Sequence, residues 1–289
     1  MSIEPPETIR RIVYLGTPGV AVPPLHALVE AGYEIPLVVS RPDARRGRGK
    51  SLMPSAVKAA AIELGLAVTD RLEDVGSVDA DLAVVVAYGR IIPAALLNQL
   101  SFVNLHFSLL PRWRGAAPVE RAILAGDEVT GVCLMDLAEE LDTGAIYRRV
   151  ETPIGPDETL DELRGRLVEI GVAQLVAALR EGLGQPTPQI GDPVYAAKID
   201  AAERKIDWSQ SAVAIHGRVR VGGAFTSWNG KRLKVHRTRL AALGDSGVVV
   251  ATGDGHLELL EVQAEGKPRM DAASWANGAR WQAEQAFDS

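Results

Sequence analysis

Asn104 and His106 break an apolar run in the stretch FVNLHFSLLPRWRGAAP, Phe102 to Pro118. Residues two apart in an extended strand share a face, so the amide and the imidazole project together. A carboxamide donor and an imidazole aimed at one point suit a carbonyl oxygen that gains negative charge under nucleophilic attack. A carboxylate completes the set. Asp142 stands before a glycine turn in EELDTGAIY, between two apolar stretches. An aspartate there orients His106 or relays a proton. The competing readings are two satisfied polar groups in a core and, for Asp142, a turn residue bonded to its own backbone.

The chain offers little for covalent catalysis. There is no G-x-S-x-G elbow to support a Ser-His-Asp triad. The single cysteine, Cys133, lies in the apolar run GVCLM and reads as a packed small hydrophobe. One cysteine excludes an internal disulfide and a zinc site built from several thiolates.

The elements that must position these residues alternate in type. RRIVYLG, EIPLVVS, DLAVVVAYG and FVNLHF read as strands, and VPPLHALVEAG, PSAVKAAAIELG and PAALLNQL as helices between them. Ser55 or Pro54 caps the second helix. DLAVVVAYG is apolar on both faces, as a central parallel strand is. Repeated strand–helix–strand units predict an α/β fold with a doubly wound, mostly parallel sheet. His106 then falls at the carboxyl end of a strand, where ligands sit in open α/β sheets. PVERAILAG adds a helix, TGVCLMDL and AIYRRVETPI add strands, and TLDELRGRLVEIGVAQLVAALREG is a long amphipathic helix. The turn YLGTPGVAVP departs from G-x-G-x-x-G, and no acidic residue closes the second strand, so Gly16 marks a tight strand-to-helix turn rather than a dinucleotide cradle.

The Pro- and Gly-rich stretch LGQPTPQIGDP, 183–193, reads as a linker. Residues 1–182 precede it as the larger domain. Residues 194–289 follow as a smaller, β-rich one, with one helix in IDWSQSAVAIHGRVRVG and strands in KRLKVHRTRL, GVVVATGDG and HLELLEVQ. If KRLKVHRTRL alternates strictly, Lys231, Leu233, Val235, Arg237 and Arg239 share one face, which Leu233 and Val235 make the core side early in the strand, and Arg232, Lys234, His236 and Thr238 share the other, which exposes Arg232 and Lys234.

Net charge is −6 over 289 residues, yet it is uneven: −8 up to Asp200 and +2 beyond. Arg218 to Arg239 holds seven basic residues and no acidic one, and Arg41 to Lys58 holds six against Asp43 alone. Basic clusters on an acidic chain suit local anions such as phosphates, although solvated faces carry such charge as well. No apolar run approaches the roughly 20 residues of a spanning helix, and the N-terminus lacks a signal peptide's apolar core, so a cytoplasmic protein is expected.

At this point the residues carry a resemblance. NLHFSLLPRWRGAAP followed by LDTG resembles the folate-dependent formyltransferases, whose catalytic pattern is Asn-x-His with a later Asp. LGTPGVAVPPLHAL, RPDARRGRGKSLMPSAVK, VVVAYGRIIP, AAKIDAAERKIDWSQSA, NGKRLKV and LELLEVQAEGKPRM extend the likeness from about Arg11 to about Met270, toward the members acting on methionyl-tRNA. The resemblance implies a Rossmann-like domain with a C-terminal OB-like β-barrel. It implies transfer of a formyl group from 10-formyltetrahydrofolate, as co-substrate, to the α-amine of methionyl initiator tRNA. No metal or nucleotide cofactor, no membrane and no obligate protein partner is implied. By carry-over Asn104, His106 and Asp142 are catalytic. Ser108, Leu109, Leu110 and Pro111 bind folate with the backbone of Val86, Ala87, Tyr88, Gly89, Arg90 and Ile91. Arg41, Arg45, Arg46, Arg48 and Lys50 face the acceptor stem, and Arg232 and Lys234 the tRNA backbone. The chain departs from the family at Phe107, where a small residue is usual, at the short turn RVRVGGAFTSW, and in its tail after GKPRM. The alternatives are a formyltransferase for another amine, such as a nucleotide-linked amino sugar, and a noncatalytic RNA- or folate-binding protein.

The basic run RRGRGK generates a test. Replacing Arg46, Arg48 and Lys50 together with alanine is expected to raise KM for charged tRNA and to flatten its salt dependence, because fewer counterions leave on binding. Folate affinity is expected to stay put. An unchanged salt slope would remove this loop from the interface.

Overall fold

The computed structural model describes residues 4–46, 51–242, 246–282 and Phe287, with Arg46 described in its backbone alone. Arg48 and Lys50, assigned above to the acceptor stem, lie outside the described residues. The chain divides into two compact units. The first comprises Met1–Pro118, Thr130–Thr152 and Arg164–Ala196, and the second Val119–Val129, Pro153–Leu163 and Ala197–Ser289.

The first unit is built as the alternation predicts. Strands β1 (Arg11–Gly16) and β2 (Glu34–Val39) flank helix α1 (Val22–Glu30). A hairpin of β3 (Ala44–Arg46) and β4 (Ser51–Met53) follows, then α2 (Ala56–Glu63) and the short β5 (Val68–Thr69). β6 (Leu82–Val86), α3 (Ala94–Leu97), β7 (Phe102–His106) and β8 (Arg112–Gly115) come next, and α4 (Pro118–Ala125) follows in chain order, all but Pro118 of it in the second unit. β9 (Val129–Asp136), β10 (Ile146–Pro153), the 22-residue α5 (Leu160–Glu181) and β11 (Val194–Ala196) complete the series. Pro23 and Pro24 sit in the first turn of α1, where missing N–H groups cost nothing. Ser55 caps α2 by accepting from the Lys58 amide.

The seven-stranded sheet runs β10-β9-β7-β6-β1-β2-β5. It is parallel from β7 to β5 and turns antiparallel at β9. Every residue of β6 and β7 is buried. The polar pair on β7 is therefore held inside, not on an exposed face. Strand order reverses between β1 and β6, which creates the crevice at the strands' carboxyl ends. Gly16 ends β1 there. A Cβ on Gly16 would lie 2.9 Å from the Ala21 Cβ and 3.2 Å from Val57, so the glycine is required by close helix–strand packing.

The second unit contains α6 (Ala212–Val221), β12 (Phe225–Trp228), β13 (Lys231–Ala241), β14 (Val248–Ala251), β15 (His256–Ala264), β16 (Met270–Asp271) and α7 (Ala272–Ala279). Its antiparallel sheet runs β12-β13-β15-β14, with β16 against β15, and makes the smaller, barrel-like domain expected. Ile215, Val219, Leu233, Val235, Leu257, Val262 and Trp275 form its core. Strict alternation along β13 fails after Val235. The register against β15 shifts between Val235 and Arg237 and again between Arg237 and Thr238. A bulge moves the following side chains to the opposite face. Thr238, which alternation groups with Arg232 and Lys234, is buried, and Arg237 and Arg239, which it groups with Leu233 and Val235, are exposed. Arg232 and Lys234 are exposed as expected, with the Arg232 guanidinium 3.6 Å from the centre of the Phe225 ring.

Thr238 turns inward to meet His216. The His216 Nδ1 lies 2.9 Å from Thr238 Oγ1, and its Nε2 lies 3.1 Å from the Pro156 carbonyl and 3.1 Å from Asp157 Oδ1. Burial holds the imidazole pKa below its ordinary 6.5, and the Pro156 carbonyl only partly offsets this. The unfolded chain therefore takes up this proton before the folded one does. The stabilisation is complete above about pH 6.5 and is lost as pH falls below it. The midpoint of chemical denaturation is expected to drop between pH 7.5 and 5.5, and His216→Gln is expected to reduce that drop. Identical pH slopes in both proteins would place the effect elsewhere.

Candidate active site

The site is assembled within the first unit by β7 and the loop that follows it. Asn104 and His106 occupy alternate positions of β7, opposite Met135 and Cys133 of β9. Asn104 also pairs in register with Val85 of β6, one residue before the segment Val86–Ile91. Both β6 and β7 thus deliver their following segments to the same sheet end.

His106 is 5% exposed, and its ring is held at two points. Nε2 lies 2.9 Å from the Trp113 carbonyl oxygen. A carbonyl only accepts, so Nε2 carries a proton and donates it. In the neutral ring Nδ1 is then the lone-pair nitrogen. It faces Asp142 Oδ2 at 3.7 Å, which is an ion-pair separation rather than a hydrogen bond. That contact is attractive only when the ring carries its second proton. The arrangement is a proton acceptor with its counter-charge already in place. The other end of the carboxylate's tether is a backbone amide: Gly115 N–H donates to Asp142 Oδ2 at 2.7 Å. Asn104 is 9% exposed, and among the described residues its carboxamide has no hydrogen-bond partner. It remains available as a donor.

The PRWRG loop has a conformation that only a constrained site tolerates. Trp113 has φ 67° and Gly115 φ 122°. Left-handed backbone at a tryptophan costs about 1–2 kcal/mol, and here it turns the Trp113 carbonyl onto His106. A Cβ on Gly115 would come within 2.9 Å of the Ala196 oxygen on β11, so this position excludes larger residues. Ser108 is buried and donates to the Arg112 carbonyl at 2.7 Å, which closes the loop on itself. Leu110 is buried against Cys133 and Met135. Phe107 is buried too. Burial pushes the Cys133 thiol up to about 11, so it is no nucleophile at neutral pH.

In the segment after β6, Val86 and Tyr88 are buried, while Ala87, Gly89, Arg90 and Ile91 are exposed. Ala87 has φ 46° and Gly89 φ 77°, and Thr17 Oγ1 donates to the Tyr88 carbonyl at 3.0 Å. Burial pushes the Tyr88 phenol up, and the neighbouring Arg90 partly offsets it. Arg41 stands beside this segment, its Nη1 4.0 Å from where a Gly89 Cβ would lie. Arg45 is exposed on β3, whose partner strand β4 exposes Leu52 and Met53. Among the described residues no His, Cys, Asp and Glu group forms a metal-binding set, and no described helix is long and apolar enough to cross a membrane.

Four participants escaped the sequence reading: the Trp113 carbonyl, the Gly115 amide, and the side chains of Arg114 and Gln189. Backbone groups leave no trace in residue type, and Gln189 lies in a stretch with the composition of a linker.

Comparison with known proteins identifies the family. Residues 10–179 match the formyl transferase family, and residues 198–280 match the formyl transferase C-terminal domain. The chain is 46% identical over 294 residues to the methionyl-tRNA formyltransferase of Jannaschia sp. (strain CCS1), covering 93% of this chain and 97% of that one. It is 41% identical over 292 residues to the methionyl-tRNA formyltransferase of Ruegeria pomeroyi, with the same coverage. Among solved structures it resembles the N-formyltransferase of Helicobacter canadensis in complex with folinic acid and dTDP-3-aminofucose. That likeness has TM-score 0.68 and 18% identity, over 89% of this chain and 99% of that one. It also resembles HypX of Aquifex aeolicus in complex with tetrahydrofolic acid, with TM-score 0.65 and 16% identity over 97% of this chain. The chain spans about half of that protein, 50% of its length. At such identities the solved structures share the fold alone. With close relatives along nearly its whole length and both domains matched, the chain belongs to the methionyl-tRNA formyltransferase family.

Proposed function

We propose that this chain moves the formyl group of 10-formyltetrahydrofolate onto the α-amino group of methionyl initiator tRNA in the cytoplasm. One observation carries the reading: the relatives named for methionyl-tRNA are 46% and 41% identical to it across 93% of the chain, both domains included. Division of labour follows the domain boundaries expected from sequence. Residues 1–182 hold the donor and perform the chemistry, residues 183–193 connect, and residues 194–289 add contacts to the RNA.

The chemistry asks for a neutral amine and a polarised formyl carbon. As the amine nitrogen bonds to the formyl carbon, negative charge gathers on the formyl oxygen. The Asn104 carboxamide donates to that oxygen, an interaction worth about 2.7–4 kcal/mol by the measure of other oxyanion donors. The surplus proton on the new nitrogen passes to Nδ1 of His106. The imidazolium so formed is stabilised by Asp142 and keeps its Nε2–H on the Trp113 carbonyl. Expulsion of the folate nitrogen breaks the old carbon–nitrogen bond and restores the carbonyl, and that nitrogen takes the proton back from His106 Nδ1, which returns the ring to its neutral form. Because Nε2 is already committed, His106 helps bind the oxyanion only after Nδ1 has been protonated.

Ser108, Leu109, Leu110 and Pro111 with Val86–Ile91 line the donor in this reading. The Ser108 hydroxyl is committed to Arg112 and the Leu110 side chain to the core, so these two act through their backbone. Arg41, Arg45, Arg46, Arg48 and Lys50 meet the acceptor stem, and Arg232 and Lys234 the tRNA backbone.

Purified protein given 10-formyltetrahydrofolate is expected to formylate methionyl initiator tRNA and to leave a nucleotide-linked amino sugar unformylated. The opposite result would overturn the assignment of substrate. His106→Ala and Asp142→Ala are each expected to lower kcat by about 10²- to 10⁴-fold, the range of positioned acid–base groups, with little change in folate binding. Wild-type turnover in both would refute their roles. Arg232→Ala with Lys234→Ala is expected to raise KM for tRNA and reduce its salt slope by about two phosphate contacts; an unaltered slope would leave these cations as solvent-facing strand residues.

A further inference from the structure

The segment 183–193 has the composition of a connector, yet Gln189 is built into the turn that carries Asp142. Its Oε1 accepts from Arg114 Nε at 3.1 Å and from Arg114 Nη2 at 2.7 Å. A guanidinium only donates, so these two bonds settle which way the amide faces. Its Nε2 then points at two carbonyl oxygens, those of Asp142 and Gly144, each at 2.8 Å. Both amide hydrogens are used. Two residues earlier, Thr187 and Ile146 exchange backbone hydrogen bonds at 2.8 and 2.9 Å, so the segment is zipped onto the far end of the same turn.

The turn needs this support. Asp142 has φ 53°, a left-handed conformation uncommon outside glycine, which aspartate adopts when hydrogen bonds hold it. On its other side the turn has no slack, since a Cβ on Gly144 would lie 1.9 Å from the Asp136 oxygen. Arg114 itself sits between Trp113, whose carbonyl accepts a hydrogen bond from His106, and Gly115, whose amide donates one to the Asp142 carboxylate. The three consecutive residues of β8 therefore hold the histidine, the glutamine and the aspartate.

We infer that Gln189, oriented by Arg114, is a positioning residue that keeps the Asp142 carboxylate at its ion-pair distance from His106. The inference rests on the proposed catalytic role of that pair. Gln189 touches no reacting atom in it and acts through Asp142.

The test is a double-mutant cycle on the full chain, with 10-formyltetrahydrofolate and methionyl initiator tRNA as substrates. Gln189→Ala is expected to lower kcat roughly 10- to 100-fold, as misplacement of a catalytic group by an ångström or less does, while KM for the donor changes by less than about twofold. In an Asp142→Ala background the same substitution is expected to change kcat by less than about twofold, because the group it positions has gone. Gln189→Glu keeps the size and the Arg114 contact but turns a carboxylate oxygen toward the two carbonyls. It is expected to match Gln189→Ala in kcat with a thermal midpoint near wild type. Equal losses in the wild-type and Asp142→Ala backgrounds would overturn the positioning role while leaving the catalytic pair intact. Wild-type turnover in Asp142→Ala alone would overturn the pair, and the inference with it. Failure of both Gln189 variants to fold would mark the residue as general structural support and reject the inference as well.

Discussion

The hydrogen bond from His106 Nε2 to the Trp113 carbonyl fixes the orientation of the imidazole on which the rest of the candidate site is built. By claiming the Nε2 proton it leaves Nδ1 as the basic nitrogen and aims it at Asp142. Everything nearby serves that geometry. Trp113 adopts a backbone conformation that its side chain disfavours, and Gly115 packs against β11 where no Cβ fits. The buried loop of Ser108 to Arg112 ties the segment back to the end of β7. Backbone groups do the orienting because they are fixed by the fold, whereas a side chain in the same place has rotamers to lose.

The doubly wound sheet makes such a loop possible. The parallel strands, with β6 and β7 buried throughout, leave their carboxyl ends as the region where backbone can emerge and stay irregular. β6 and β7 are neighbours in register, so the segments following them are brought side by side without long-range steering. The antiparallel β9 then returns along β7 and leads to the turn with Asp142, from outside the parallel series. The carboxylate meets the histidine because the chain reverses there. Gly115 holds the aspartate's carboxylate and Gln189 its carbonyl, while Thr187 pairs with Ile146 at the far end of the turn.

Charge is arranged differently in the second unit. Many of its arginines are engaged: Arg121 with Glu203, Arg237 with Glu162, Arg239 with Glu258, and Arg220 with the carbonyls of Gly155 and Glu158. The basic run Arg218 to Arg239 is thus less of a free cationic surface than its composition suggests. Arg232 and Lys234 stand apart as exposed residues on β13, Arg232 over an aromatic ring that leaves its donors outward. Bulges in β13 create this distribution by turning Thr238 inward to His216 and the later arginines outward.

Much of this was legible in the chain itself. Strand and helix periodicities, the capping Ser55 and the tight turn at Gly16 are local, and local preference agrees with the final fold. Asn104 and His106 stood out because polar residues two apart in a buried strand need a reason, and Asp142 because a turn aspartate follows so soon on the apolar strand GVCLM. Strict alternation misplaced Thr238, Arg237 and Arg239, because a bulge depends on the partner strand's register and not on the strand's own residues. The PTPQIG stretch read as a connector, because proline and glycine signal the absence of regular structure and say nothing about what a lone glutamine packs against. Residue types and their spacing therefore determined the fold class and the chemical groups on offer. Tertiary structure alone decided which imidazole nitrogen is free, what holds Asp142 beside it, and which cations face outward, since each depends on hydrogen bonds or strand register between segments distant in the chain.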